Sequence, residues 1–182
     1  ALANIIGSLD MMFSTVALPT IASDFKLPLA GAAWIPLSGT LTISALLLPS
    51  GSLADLLGRK RMQLIGIVLI SVGSVIAAVA PSPAILIVAR MVASAGGAIV
   101  FTQMMSVIGA GFPDSHRDKA IGAGIAASAI GMLIGPLAGG YVINSIGWRA
   151  AYWIIASLAI PVFIATAIIF VESRVSSPDV GK

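Results

Sequence analysis

Apolar residues run in six long stretches along the chain, each closed by a short polar or glycine- and proline-bearing break. The stretches cover about 1–22, 30–53, 62–80, 84–111, 120–143 and 150–171. At 1.5 Å rise per residue, each is long enough to cross a hydrocarbon layer of about 30 Å. The breaks carry Ser23-Asp24, Pro81-Ser82-Pro83, Phe112-Pro113 and Gly147-Trp148-Arg149. This pattern predicts an all-α integral membrane protein: a bundle of six transmembrane helices over 1–171, followed by a polar tail over 172–182. The first run lacks the basic leading region of a cleaved leader, so it reads as a span.

The basic residues alternate in side. Arg59, Lys60 and Arg61 lie between the second and third runs, Arg117 and Lys119 between the fourth and fifth, and Arg174 and Lys182 in the tail. The opposite breaks hold Lys26 and Arg149 only. Cytoplasmic loops carry the Lys/Arg excess, so both termini are expected in the cytoplasm, in a cell (inner) membrane. An even number of spans requires the same. The run Pro113 to Lys119 reads as the longest internal polar loop, and Trp148 as an aromatic anchor at the membrane surface.

Composition removes other classes. The chain is 58% hydrophobic and 9% charged, against about 25% charged in soluble domains. It has no cysteine and one histidine, His116, which leaves no disulfide, thiolate metal site or cysteine nucleophile. No metal or cofactor is expected. The net charge of +3 sits at the ends of the spans, a membrane pattern rather than a nucleic-acid footprint. Asp114, Ser115 and His116 are triad residue types, but adjacent positions do not build a triad. Gly122 to Ala127 matches a loose dinucleotide pattern without the strand that pattern needs. Nothing indicates an enzyme.

Two charges fall deep within spans. Asp10 lies roughly 18 Å from the outer end of the first and Arg90 roughly 10 Å into the fourth. An arginine cannot shed its proton, and a carboxylate at that depth needs a partner, a proton or water. The two are therefore expected to face one polar cavity as a proton or substrate site; a purely structural ion pair is the alternative. At the basic end, Gly51, Asp55, Gly58, Arg59, Lys60 and Arg61 combine a glycine turn, a carboxylate past the end of the second span and a basic cluster. Asp55 stands four residues before Arg59, a spacing that suits a salt bridge. In the fifth span, Ala123, Ala127, Gly131, Gly135 and Gly139 recur every four residues and form a face without bulk. Pro136 is expected to bend that helix, and Gly140 adds a further glycine.

Together these motifs resemble the major facilitator superfamily, over essentially the whole chain. Leu9 to Pro19 (LDMMFSTVALP) resembles the first-helix motif of its drug:proton antiporters. Gly51 to Arg61 (GSLADLLGRKR) resembles the signature loop between helices two and three. Ile85 to Ala98 resembles the fourth-helix motif built on a membrane arginine. Gly131 to Gly140 (GMLIGPLAGG) matches the antiporter motif of helix five, and Gly147 to Trp153 the start of helix six. The nearest look is the branch with fourteen helices. Leu56 stands where the signature loop usually has a basic residue, and Ala93-Ser94 where the fourth-helix motif usually has Gln-Gly.

The resemblance implies half of the fold, six helices as two three-helix inverted repeats, acting as the N-terminal half of a proton-coupled exporter of small amphipathic compounds. It implies that Asp10 carries or controls the proton and Arg90 tunes it. Asp55 and Arg59 latch an inner gate, and Gly135-Pro136 with Gly139-Gly140 shape an outer closure. The smooth face of helix five is expected to receive a helix of a second six-helix bundle: the remainder of a longer chain, a second copy, or another membrane protein. The implied partners are thus the lipid bilayer, a second bundle, a small-molecule substrate and protons. A non-transporting accessory subunit and an importer on the same scaffold are the alternatives.

Overall fold

The computed structural model describes residues 2–111 and 114–169. Phe112-Pro113 and the tail with Arg174 and Lys182 lie outside the described residues, as do the end of the sixth span and the side chains of His116 and Arg117. Among the described residues there are eight helices and no strand: α1 (Leu2–Val16), α2 (Leu18–Asp24), α3 (Leu29–Ala32), α4 (Trp34–Leu57), α5 (Arg59–Ala78), α6 (Pro83–Gly111), α7 (Asp114–Ser145) and α8 (Trp148–Ile169). Five stretches among them are long and apolar enough to cross a membrane, and α1 with α2 makes a sixth, bent span.

The break in that first span was not expected. α1 and α2 meet at 52°, and the cause is Pro19, in the first turn of α2. A proline ring clashes with the carbonyl four residues back and removes a donor. The backbone stays paired on both sides, Ala17 N donating to Phe13 O and Ile21 N to Ala17 O, each at 2.9 Å. Pro136, by contrast, sits inside an uninterrupted α7.

Two boundaries differ from the sequence reading. α4 runs on to Leu57, and Gly58 alone, at φ +95°, joins it to α5. That conformation suits glycine. Asp55 therefore lies in the last turn of α4 rather than beyond it, and Arg59, Lys60 and Arg61 form the first turn of α5. Likewise α7 starts at Asp114, so most of the polar run read as a loop is helix. An acid in the first turn and a proline just before it favour starting a helix there.

The α5–α6 pair is the tightest in the bundle. A Cβ on Gly73 would lie 2.5 Å from the backbone nitrogen of Ala93, so the two backbones touch. In lipid, such close approach replaces the hydrophobic effect as the force joining helices. Ile70, Leu86, Val100, Tyr152 and Ile155 fill the centre. α7 and α4 are the least covered: 18% and 22% of their most apolar windows are buried, against 50% for α5. Their outer faces are left for lipid or a partner.

Candidate functional site

The structure brings Asp10 and Arg90 together. α1 and α6 cross so that Arg90 Nη1 donates to both carboxylate oxygens of Asp10 at 2.6 Å. The two side chains are only 3% and 6% exposed. Gly39 of α4 makes room for Ser94 beside the pair: a Cβ there would lie 2.6 Å from Ser94 Oγ, with Arg90 Nη2 in ordinary contact at 3.6 Å. Behind the pair, the fully buried Tyr152 of α8 places its ring 5.9 Å from Arg90 Cζ. Its hydroxyl donates to Ser14 Oγ at 3.4 Å. A buried pair stabilises little beyond an apolar equivalent, yet losing one member costs about 3–5 kcal/mol, because the other charge is left alone.

The pair faces a small open cavity of about 40 Å³, walled by α1, α4, α5 and α6. Met11, Pro36, Ile43 and Ile70 make it apolar; Ser14, Thr15, Thr40 and Ser94 add hydroxyls. Thr15 and Thr40 spend their protons on their own helices, donating to Met11 O at 3.1 Å and Pro36 O at 3.3 Å. Among the described residues no group of three His, Cys, Asp or Glu is placed to hold a metal ion.

The basic end is built differently. Asp55 and Arg59 stand 3.5 Å apart across the Gly58 turn, Asp55 being 62% exposed. Beneath them Ala54, Met62 and Ile99 form a small separate core, and Ser50 of α4 shares a hydrogen bond of 3.1 Å with Thr102 of α6. A side chain at Gly51 would meet open space. Lys60 is half-buried and Arg61 exposed.

The helix-five stripe is where expectation fails. Gly131, Gly135 and Gly139 are buried against α1 of the same chain, not left for a helix outside it. Added Cβ atoms would lie 3.0 Å from Ser8 Cβ, 2.7 Å from Met12 Cβ and 2.7 Å from Phe13 Cδ1, respectively. A face without bulk admits any helix that reaches it, and α1 does. Gly140 and Pro136 are off this contact: Gly140 has open space around it and Pro136 is exposed.

Sequence reasoning also missed the cluster at the opposite end. Trp148 is 1% exposed rather than an anchor at the lipid surface. Its Nε1 donates to Asp24 Oδ2 at 2.7 Å. A buried indole N–H needs an acceptor, and the end of α2 supplies one. Arg149 Nη1 reaches the same oxygen at 3.4 Å, Nη2 reaches Ala80 O at 3.4 Å, and its guanidinium stacks 4.2 Å over the Trp148 ring. One patch thus ties the ends of α2 and α5 to the start of α8. The only available signal was an acid closing one span and a Trp-Arg pair opening another.

Comparison with known proteins agrees with this architecture. The family profile described as Major Facilitator Superfamily matches residues 1–182. The chain is 35% identical over 147 residues to the multidrug resistance protein Stp of Mycobacterium tuberculosis, covering 80% of this chain and 27% of that one. It is 33% identical over 179 residues to the multidrug efflux pump LfrA of Mycolicibacterium smegmatis, covering 98% and 36%. It therefore spans about a quarter to a third of these relatives' length. A crystal structure of a bacterial homologue of the human lysosomal transporter Spinster, inward-facing and unoccupied, superposes with a TM-score of 0.78 at 22% identity, over 100% of this chain and 44% of that one. Six apolar spans, a paired acid and arginine within them and a family match along the whole length lead to one conclusion: the chain belongs to the Major Facilitator Superfamily.

Proposed function

We propose that this chain is the N-terminal six-helix half of a proton-coupled exporter of small amphipathic molecules, working by alternating access in a cell membrane with its basic end in the cytoplasm. The observation that carries this reading is the Arg90–Asp10 pair, closed at 2.6 Å beside a largely apolar cavity. A proton arriving at Asp10 removes the attraction that holds α1 to α6 at mid-depth. That event can favour one orientation of the cavity over the other, as a switch requires. The names of the multidrug efflux pump LfrA and the multidrug resistance protein Stp support an export direction and more than one cargo.

In this reading the weakly covered faces of α4 and α7 meet a second six-helix bundle. Asp55 and Arg59 secure the cytoplasmic gate, and Gly140 with Pro136 faces the outer closure. The test is Asp10→Asn in the protein as its gene encodes it, reconstituted in liposomes. Efflux of exported amphipathic dyes driven by a pH gradient is expected to stop while the folded fraction stays unchanged. Efflux at the unaltered rate overturns the proton-carrier role.

A further inference from the structure

Arg90 is only partly used by Asp10. A guanidinium has five N–H groups and accepts nothing. In a forked arginine–carboxylate pair two nitrogens face two oxygens. Here Nη1 alone spans both oxygens of Asp10. Nε is buried with no hydrogen-bond partner, and Nη2 lies beside the bare backbone of Gly39. A buried donor without an acceptor is rare enough in folded proteins to require an explanation.

The other polar groups around the cavity sharpen the point. Both Asp10 oxygens are engaged, and the Thr15 and Thr40 hydroxyls donate to their own helices. The carboxylate and guanidinium cancel, so while the pair is closed the cavity has no net charge to attract an ion. Beside the Ser14 and Ser94 hydroxyls, what it has left to offer is Arg90 N–H donors set in an apolar wall of Met11, Ile43 and Ile70.

We propose that the closed-pair cavity takes an uncharged amphipath bearing a carbonyl-type oxygen, and that the oxygen accepts a hydrogen bond from the unused edge of Arg90. This rests on reading the cavity as the transport site and names the class of its substrate. A hydrocarbon of the same shape leaves the donor unsatisfied. A lipophilic cation finds no net charge in the closed pair to offset the hydration it gives up.

The experiment compares three tritiated probes on the protein as encoded, in nanodiscs: 9-fluorenone, fluorene, which lacks the carbonyl, and tetraphenylphosphonium. After subtraction of uptake by empty discs, fluorenone is expected to bind at least tenfold tighter than either of the others. Arg90→Lys keeps the charge opposite Asp10 but removes Nε and Nη2, and should erase the preference. A second measurement needs no variant: the infrared C=O stretch of bound fluorenone should move to lower wavenumber. Equal binding of fluorenone and fluorene, tighter binding of the cation, no specific binding of any probe, or an unshifted stretch overturns the proposal. So does a preference that persists in folded Arg90→Lys. The two readings fail separately. Proton-independent efflux with an intact carbonyl preference removes the coupling alone; proton-driven efflux with no such preference removes this inference alone.

Discussion

Trp148 and Asp24 are 124 residues apart in sequence and share a hydrogen bond of 2.7 Å, the indole donating to the carboxylate. Asp24→Ala leaves a buried N–H without an acceptor, a loss of about 1–3 kcal/mol. Arg149→Ala removes a half-exposed pair at 3.4 Å, worth about 0–1 kcal/mol, together with the bond to Ala80 O and the stack on Trp148, but it leaves the buried indole N–H paired. Thermal unfolding in detergent should therefore show the carboxylate variant clearly the less stable of the two. Equal losses would mean that Trp148 finds another acceptor.

Gly135 and Gly140 are five residues apart on α7 and should respond oppositely to alanine. At Gly135 the new Cβ lies 2.7 Å from Met12 Cβ, and overpacking of that kind costs about 1–3 kcal/mol. At Gly140 nothing lies within 4 Å, and alanine in a helix interior is favoured over glycine by about 0.5–1 kcal/mol. SDS titration of both variants checks this. Destabilisation at Gly140 would show that its open side is covered in the membrane.

Arg90→Ala strands a carboxylate at 6% exposure, and a loss of about 3–5 kcal/mol is expected. Removing Asp10 as well should return much of it, since the cost lies in the unpaired charge. The same unfolding measurement on the single and double variants reads the coupling. A double variant as unstable as the single refutes the pairing.

Pro19→Ala should straighten the first span. With arms of about 22 Å and 10 Å meeting at 52°, the two ends lie roughly 30 Å apart, and a straight helix of that length spans roughly 33 Å. Spin labels at Leu2 and Ser23 would report a lengthening of about 3 Å, on the same rise per residue. An unchanged distance would mean that packing of Ala17, and not the proline, holds the bend.

The spans and the Asp10–Arg90 partnership are legible in the sequence for one reason. Lipid penalises a stray charge so heavily that two charges inside spans identify each other. Asp24 and Trp148 gave no such signal, because at a span's end either residue has an ordinary solvated or interfacial place. The glycine stripe announced a close contact but not with which helix, since a smooth face carries no address. Its partner α1 offers Ser8, Met12 and Phe13, side chains typical of any span. The helical start at Asp114 was hidden by polarity: charged residues read as loop when their helix extends past the apolar run.

The bend at Ala17 divides one span between two anchors. The short arm, α2, is fixed to α8 through Asp24, while the long arm carries Asp10 seven residues from the bend. Seven residues of helix make a lever of about 10 Å, so a swing of about 10° displaces the carboxylate by about 2 Å. That travel is comparable to the whole 2.6 Å length of its bond to Arg90. A swing of about 10° about the bend therefore covers most of the distance over which the charge contact exists.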